Sequence, residues 1–326
     1  MNEARRFFLR KVLQHAPFIL FLLVLAGFGI AAPVFLSGKN LTNIVIQSSS
    51  TAIIATGMTF VLLTGGVDLS IGAIMFIAAA LGGKLLLATD SFPASLAVML
   101  LIGTGCGAVN ATLISTLRVI PFIVTLATLY VGRGLGLWIT ETRAMNMPDV
   151  FLEFGARKLA GVPLPVLLLA IVVLLAQITL SRTAFGRQIY AIGANIEGAR
   201  KAGIKTRRIL FVVYVIAGFC AALGAIISLG QIGAVSPKFG ENREFAAIAA
   251  AVLGGTSLFG GRGAVLPGTL LGALLIQSVE NGLVVINADP YLYPLVTSTI
   301  IFVAVLLDSA RWRLLERMGK GRRGEE

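Results

Sequence analysis

Histidine, cysteine and acidic residues are scarce in this chain of 326 residues. It contains one histidine, His15, two cysteines, Cys106 and Cys220, and 15 aspartates and glutamates. One histidine leaves too few partners for a hydrolytic triad. The two cysteines lie in separate apolar stretches, where they are expected to pack as small side chains and not as a disulfide framework or metal cluster. We therefore expect neither a metal site nor a cofactor.

Charged residues are also few. They make up 13% of the chain, against 57% apolar residues, and the mean hydropathy is +0.91. This composition is typical of an integral membrane protein. No stretch resembles a soluble catalytic domain, and the apolar stretches contain no paired carboxylates, HExxH or GxSxG. We therefore expect no enzymatic activity in the chain itself.

The apolar residues form ten stretches that could each cross a membrane, for which about 20 residues are needed. Their limits are 17–36, 44–64, 71–89, 94–117, 121–140, 163–180, 209–229, 245–260, 264–286 and 293–308. The eighth is short enough to be a re-entrant or broken helix. The first is followed by further spans, so we interpret it as a signal anchor. The fold prediction is one all-α domain, 1–326, with about ten transmembrane helices.

The basic residues show which ends of these spans face the cytosol. The net charge is +12, and most Lys and Arg side chains fall at alternate ends of the spans. The positive-inside rule then predicts that both termini are cytosolic. Because membrane orientation accounts for the positive net charge, this charge does not indicate nucleic-acid binding.

Small residues recur at helical spacing inside several spans. The pairs Gly103/Gly107, Gly132/Gly136 and Gly268/Gly272 each form a Gly-x-x-x-Gly pattern. Such pairs allow close approach of helices in membranes. Together they predict a tightly packed bundle, within one chain or between two.

The segment 181–208 is the one long polar interruption, with seven basic residues and a single acid. Within it, Asn195 can cap a short helix that has Glu197 in its first turn, Arg200 in its last turn and Gly203 after its end. So short a helix is marginal in water by itself.

The same short helix would present a small apolar stripe. Ile196, Ala199 and Ala202 recur every third residue between basic side chains. This pattern suits a knob that enters a socket on a soluble partner. A solvated loop whose charges only fix topology explains the pattern equally well.

Ionisable residues within spans are costly, so each is a functional candidate. Asp68 follows Gly65 and Gly66, which are expected to break one helix, and either Asp68 or Ser70 could cap the next. A helix cap in a tight connection is the simpler interpretation of these residues. The alternative is a broken helix whose backbone lines a solute path.

Gln277, Glu280 and Asn281 share one face of the ninth span because they are spaced at i, i+3 and i+4. They could line an aqueous cavity near the outer end of the span. Alternatively, Glu280 pairs with Arg133, a basic residue deep inside the span 121–140, and we favour this pairing. Two outer loops, 141–162 and 235–244, could receive a soluble partner or could simply be solvated.

Three ordered motifs resemble those of the permease subunits of bacterial ATP-driven importers for ribose, xylose, galactose and related monosaccharides. The first is Gly65-Gly-Val-Asp-Leu-Ser-Ile-Gly72. The second runs from Thr183 through Phe-Gly-Arg and Tyr-Ala-Ile-Gly193 to Gly203-Ile. The third is Ala251-Val-Leu-Gly-Gly-Thr-Ser-Leu-Phe-Gly-Gly-Arg-Gly-Ala264.

The resemblance implies a multi-pass subunit of the bacterial cytoplasmic membrane that hydrolyses nothing itself. It implies a cytosolic ATP-binding subunit, an extracytoplasmic sugar-binding protein, and a second permease copy or a paralogue. Segment 181–208 matches the part that contacts the ATPase in this family. The expected coupling residues are Arg187, Tyr190, Asn195, Glu197, Arg200 and Gly203. The candidates for the solute path are Asp68, Ser70, Gln277, Glu280 and Asn281.

Two other classes of transporter stay open at this point. In an ion-coupled secondary transporter, Asp68 or Glu280 would be a proton or sodium site. A permease for another small solute, such as branched-chain amino acids, shares the general design. The motif Gly-Gly-Val-Asp-Leu-Ser favours the sugar group, while the individual sugar cannot be read from the sequence.

Overall fold

The computed structural model describes residues 16–289 and residues 291, 292, 295, 296, 298, 299, 302, 303 and 306. Across these residues the fold is a bundle of helices with two minimal two-stranded sheets. Seven helical segments are long and apolar enough to cross a membrane, and one shorter apolar helix precedes them. The helical fold is therefore confirmed in its class. Most of the tenth predicted span, 293–308, lies outside the described residues.

The helices are numbered here in chain order. They are α1 Ala16–Ala31, α2 Gly38–Leu63, α3 Ile71–Thr89, α4 Phe92–Ser115, α5 Pro121–Thr140, α6 Val150–Ala156, α7 Leu164–Arg182, α8 Ala184–Ala194, α9 Ile196–Lys201, α10 Thr206–Ile232, α11 Arg243–Leu253 and α12 Leu270–Val285, with a 3-10 turn at Pro33–Leu36 and a π turn at Val265–Thr269. The strands are β1 Met145–Asn146, β2 Lys158–Leu159, β3 Val162–Pro163 and β4 Ala234–Val235. β1 pairs with β4 and β2 with β3, both antiparallel.

The helix ends follow local sequence signals. The Ser37 hydroxyl accepts from Asn40 N–H at the start of α2, and α4, α5 and α7 each begin with a proline in the first turn. Proline is favoured there because the first amide of a helix needs no partner within it. Gly233 ends α10 with φ +71°, a conformation that costs glycine little.

Helices α2 and α3 form the centre of the bundle. In the most apolar window of each helix, 83% of residues are buried in α2 and 72% in α3, against 22% in α4 and α5. The outer helices instead expose large apolar side chains, such as Leu101 and Trp138. This distribution is typical of a membrane bundle, in which the surroundings are as apolar as the core.

The three Gly-x-x-x-Gly pairs all pack within the chain. Gly103 and Gly107 of α4 lie against Gly218 of α10, where an added Cβ would collide with backbone. Gly132 and Gly136 lie against α3, and Gly268 and Gly272 lie against α11. The prediction of a tight bundle is therefore confirmed, and these pairs are used inside one subunit.

The eighth predicted span, 245–260, is shorter than predicted. Helix α11 ends at Leu253, and a turn at Gly254 and Gly255 follows it. The prediction that 235–244 is an outer solvated loop is also wrong in part, because Glu244 is only 4% exposed. This segment folds into the bundle, where the Arg243 guanidinium donates to the Thr51 hydroxyl at 3.1 Å. Thr51 lies near the middle of the 26-residue α2, so α11 begins at about half the height of α2.

Candidate functional site

The polar segment 181–208 folds as two short helices, α8 and α9, ahead of α10. The Asn195 side chain accepts from Gly198 N–H at 2.9 Å and so caps α9. Glu197 lies in the first turn, Arg200 in the last, and Gly203 follows the end with φ +81°. The predicted short helix is confirmed in each of these features. Glu197 and Arg200 also form an exposed ion pair at 2.7 Å, which contributes little to stability in water.

The predicted apolar stripe of α9 is divided between two environments. Ala199 is only 5% exposed and packs against the bundle, whereas Ile196 is 47% exposed. Ala202 and Arg187 are exposed as well. Ala199 therefore anchors the short helix to its own subunit, and Ile196 and Ala202 stay exposed for another contact, Ile196 being the larger side chain.

The three sequence motifs meet beside this segment. The Gly261 amide donates to the Leu63 carbonyl oxygen at 2.9 Å, which joins the third motif to the end of α2. An added Cβ on Gly193 would collide with that same carbonyl and with the Gly261 amide. Gly260, at φ +87°, lies against Gly193 and Gly65. Segments far apart in sequence therefore form one closely packed backbone junction, which leaves no room for larger side chains.

Tyr190 makes a further link across this junction. Its hydroxyl donates to the Gly263 carbonyl oxygen at 2.8 Å. Burial raises the pKa of Tyr190, so its hydroxyl keeps the proton that it donates. Tyr190 thus ties α8 to the loop that follows α11.

That loop exposes two large apolar side chains, Leu258 and, far more, Phe259. Ser257 N–H donates to the Arg262 carbonyl oxygen at 2.9 Å and closes the loop, while Phe259 N–H donates to the Ser257 hydroxyl at 3.1 Å. Phe259 lies in this closed loop and is 92% exposed. The sequence analysis missed Phe259, although an aromatic residue within a glycine-rich stretch was a visible signal.

A cavity of about 840 Å³ lies next to the junction. Its basic lining residues are Arg118, Arg200 and Arg207, and Thr64, Ser115 and Asn195 add polar groups. Tyr214 also lines it and is fully buried, and its hydroxyl has no hydrogen-bond partner among the described residues. The cavity could therefore hold a polar solute.

Asp68 and Ser70 are fully buried in the connection between α2 and α3. Asp68 Oδ1 accepts from the Ser70 amide at 2.9 Å and from its hydroxyl at 2.5 Å. Asn110 donates to the Ser70 hydroxyl at 2.8 Å, and Thr128 donates to Asn110 at 2.6 Å. This chain of hydrogen bonds connects α3, α4 and α5, an arrangement that suits a structural role for Asp68.

The predicted polar face of α12 lies against the N-terminal half of α2. Gln277 donates to the Gln47 side-chain oxygen at 3.2 Å, and Asn281 accepts from Asn40 at 2.8 Å. Gln277 and Asn281 are 8% and 9% exposed. Both side chains thus join α12 to α2, and Gln47 and Asn40 are partners that the sequence analysis missed.

The predicted pair of Arg133 and Glu280 is wrong. The Arg133 guanidinium donates to the Phe239 carbonyl oxygen at 2.7 Å, lies 5.5 Å from the centre of the Phe76 ring, and interacts electrostatically with Glu244 and Glu241. Glu280 interacts instead with Arg243. The cation beside Glu280 comes from the segment that folds into the bundle, which the sequence analysis took for a solvated loop.

No group of three His, Cys, Asp or Glu residues within the described part of the chain could hold a metal ion. What the geometry offers is a packed helical bundle, a rigid junction beside a basic segment, and polar groups at several depths. These features define a multi-pass membrane permease.

Comparison with known proteins identifies the family. Residues 40–307 match the family described as the branched-chain amino acid transport system / permease component, and the chain belongs to this family. It is 36% identical over 298 residues to the D-allose transport system permease protein AlsC of Escherichia coli (strain K12), covering 90% of this chain and 91% of the relative. It is 38% identical over 315 residues to the ribose import permease protein RbsC of Bacillus subtilis (strain 168), covering 94% and 96%. The galactofuranose transporter permease protein YtfT of Escherichia coli (strain K12) is 36% identical over 273 residues, covering 83% and 80%. No solved structure matches this chain.

Proposed function

We propose that this protein is the membrane subunit of an ATP-driven importer for a monosaccharide. Relatives whose names specify ribose, allose and galactofuranose cover most of the chain, and this supports a sugar as the solute. In this proposal ten spans, with both termini cytosolic, form one domain in a bacterial cytoplasmic membrane. A sugar-binding protein delivers the solute from outside, and a second permease copy or a paralogue completes the assembly.

The backbone junction of the three motifs is the observation that carries this proposal. Because Gly193, Gly261 and Leu63 are in direct contact, a force applied to α8 reaches the end of α2 directly and also reaches the closed loop that follows α11. A cytosolic ATPase that moves this surface would therefore move helices at the centre of the bundle.

The surface offered to that ATPase combines charge with two apolar side chains. Segment 181–208 has seven basic residues and one acid, which suits an acidic rim on the partner. Ile196 and Phe259 are 47% and 92% exposed and would enter apolar sockets within that rim. Arg187, Tyr190, Asn195, Glu197, Arg200 and Gly203 would support or make this contact.

The path of the solute is proposed to use the polar face of α12. Gln277, Glu280 and Asn281 would line the outer part of the path, and the 840 Å³ cavity would receive the solute on the cytosolic side. Asp68 and Ser70 are proposed to hold α3 in place beside the path, since Asp68 Oδ1 accepts from Ser70 and the Ser70 hydroxyl accepts from Asn110. Asp68 Oδ2 is buried without a hydrogen-bond partner among the described residues.

Uptake in the native host tests this proposal. Cells lacking the gene and cells carrying it on a plasmid are given labelled D-ribose, D-allose, D-fructose or L-leucine, with and without ionophores that abolish proton and sodium gradients. We expect gene-dependent uptake of at least one sugar that persists with ionophores while ATP is maintained. Uptake that stops with the ion gradients would contradict an ATP-driven mechanism. Gene-dependent uptake of leucine alone would contradict a sugar as the solute.

A further inference from the structure

A small cavity lies where the segment after β4 folds into the bundle. Arg133 donates to the Phe239 carbonyl oxygen at 2.7 Å and holds this segment from α5. At the end of the segment, Arg243 donates to Thr51 of α2. Because Thr51 is near the middle of α2, the cavity extends into the bundle from the side on which α10 ends.

The volume and the wall of this cavity limit what it can hold. Its volume is about 160 Å³, below the roughly 300–1,000 Å³ of pockets for drug-sized ligands. Its polar wall contains Ser228, Ser236, Lys238, Glu241 and Arg243, and its apolar wall includes Met75 and Phe239. A single small ligand with both polar and apolar faces fits this description.

The polar wall of the cavity contains a hydroxyl oxygen that can still accept a hydrogen bond. The Ser50 hydroxyl donates to the Gly224 carbonyl oxygen at 2.8 Å and lies 2.8 Å from the Ser228 hydroxyl. A hydroxyl has one hydrogen to donate, so Ser228 must donate to Ser50. The Ser228 oxygen thus retains a lone pair that can accept from a ligand.

The wall also keeps unused donors. A guanidinium has five N–H groups, and the one hydrogen bond of the Arg243 side chain to a described residue goes to Thr51. The Glu280 carboxylate acts on Arg243 electrostatically but lies beyond ion-pair distance, and no other carboxylate in the described part of the chain forms an ion pair with Arg243. The cavity can therefore donate to a ligand as well as accept from it.

We propose that this cavity binds one monosaccharide in its ring form during passage through the permease. The inference rests on the proposed function and adds a site to it. Sugar hydroxyls both donate and accept, which matches Arg243 and Ser228, and the C–H face of a sugar ring suits Met75 and Phe239. A zwitterionic amino acid could instead bridge Glu241 and Arg243, so the test includes one.

Protection of an introduced cysteine measures occupancy directly. The full chain carrying Cys106→Ser, Cys220→Ala and Ser236→Cys is placed in lipid nanodiscs and labelled with a water-soluble thiol reagent. D-Ribose, D-allose, D-fructose and L-leucine are each added over a range of concentrations. A bound ligand slows labelling by 1 + [L]/Kd, about tenfold at a concentration near ten times Kd. Thr89→Cys, at the exposed end of α3, is the matched control and should label at an unchanged rate.

Each outcome bears on the proposal. Protection at residue 236 by one of the sugars, with no change at residue 89, supports it. Three results would each overturn the proposal. They are protection by leucine alone, no protection by any of the four ligands, and failure of Cys at position 236 to label in the absence of ligand. If the intact protein imports a sugar that gives no protection, only this site is wrong. If it imports none of the sugars, the proposed function is wrong.

A cavity-filling variant provides a second measurement. Ser236→Trp should abolish sugar uptake while the protein remains in the membrane at its normal level, and Thr89→Trp should transport normally. Normal uptake by Ser236→Trp would overturn the proposal independently of the labelling result.

Discussion

Replacement of Gly193 by alanine tests the rigid junction between α8, α2 and the loop after α11. The added Cβ would collide with the Leu63 carbonyl oxygen and the Gly261 amide, which are hydrogen-bonded to each other at 2.9 Å. Overpacking of this kind costs about 1–3 kcal/mol, and weakening the hydrogen bond adds about 1 kcal/mol. Since Gly193 lies within α8, alanine returns about 0.5–1 kcal/mol through its higher helix propensity. The net cost is then about 1–3.5 kcal/mol, or roughly 5- to 300-fold in the unfolding equilibrium.

Thermal unfolding of the purified protein in detergent measures this cost. Gly105→Ala is the matched control, because Gly105 lies in α4 and an added Cβ there meets nothing within 4 Å. We expect Gly193→Ala to lower the midpoint temperature and Gly105→Ala to leave it unchanged or raise it slightly. Equal stability of the two variants would refute the close contact at Gly193 and, with it, the direct mechanical link from α8 to α2.

Three further substitutions test separate parts of the structure. Asp68→Ala removes the acceptor for the Ser70 amide and hydroxyl, so we expect a loss of about 1–3 kcal/mol in the free energy of unfolding, measured by thermal unfolding. Asn195→Ala removes the cap of α9, costs about 1 kcal/mol of helix stability, and should weaken retention of the ATPase in pull-downs. Arg133→Met removes the hydrogen bond that holds Phe239 and should speed tryptic cleavage in the same segment.

Matched controls make these three results interpretable. Asp68→Asn keeps an acceptor and should lose less stability than Asp68→Ala. If Asp68→Ala is fully stable but does not transport, Asp68 belongs to the solute path instead. Asn195→Asp preserves a capping oxygen, so equal ATPase retention by the Ala and Asp variants would contradict a role for the cap. An unchanged cleavage rate in Arg133→Met would contradict the role of that guanidinium in holding the segment.

Local features of the chain could be predicted from sequence because their causes are local. The cap at Asn195 and the glycine after α9 follow from backbone geometry within a few residues. The breaks at Gly65 and Gly66 and the close contacts of the paired glycines likewise follow from what residues without a side chain permit.

Features that depend on tertiary contacts between distant parts of the sequence could not be predicted in the same way. Arg133 and Glu280 were paired because both were charges without an evident partner, yet Arg243 interacts with Glu280 and a backbone carbonyl accepts from Arg133. The error arose because a polar segment next to a span was taken as solvated. Arg243 and Glu244 enter the bundle, where Arg243 donates to Thr51, whereas Lys238 and Glu241 stay exposed.

Co-purification of an ATPase tests the central claim most directly. The tagged protein is extracted gently from its native host, alongside variants carrying Asn195→Pro with Glu197→Lys, Phe259→Ala, or the control Phe219→Ala in the exposed face of α10. We predict that an ATP-binding protein co-purifies with the intact chain and with the control, and that it is lost from the other two variants. The central claim is contradicted if no ATPase co-purifies with the intact chain and the reconstituted protein takes up solute on an ion gradient alone.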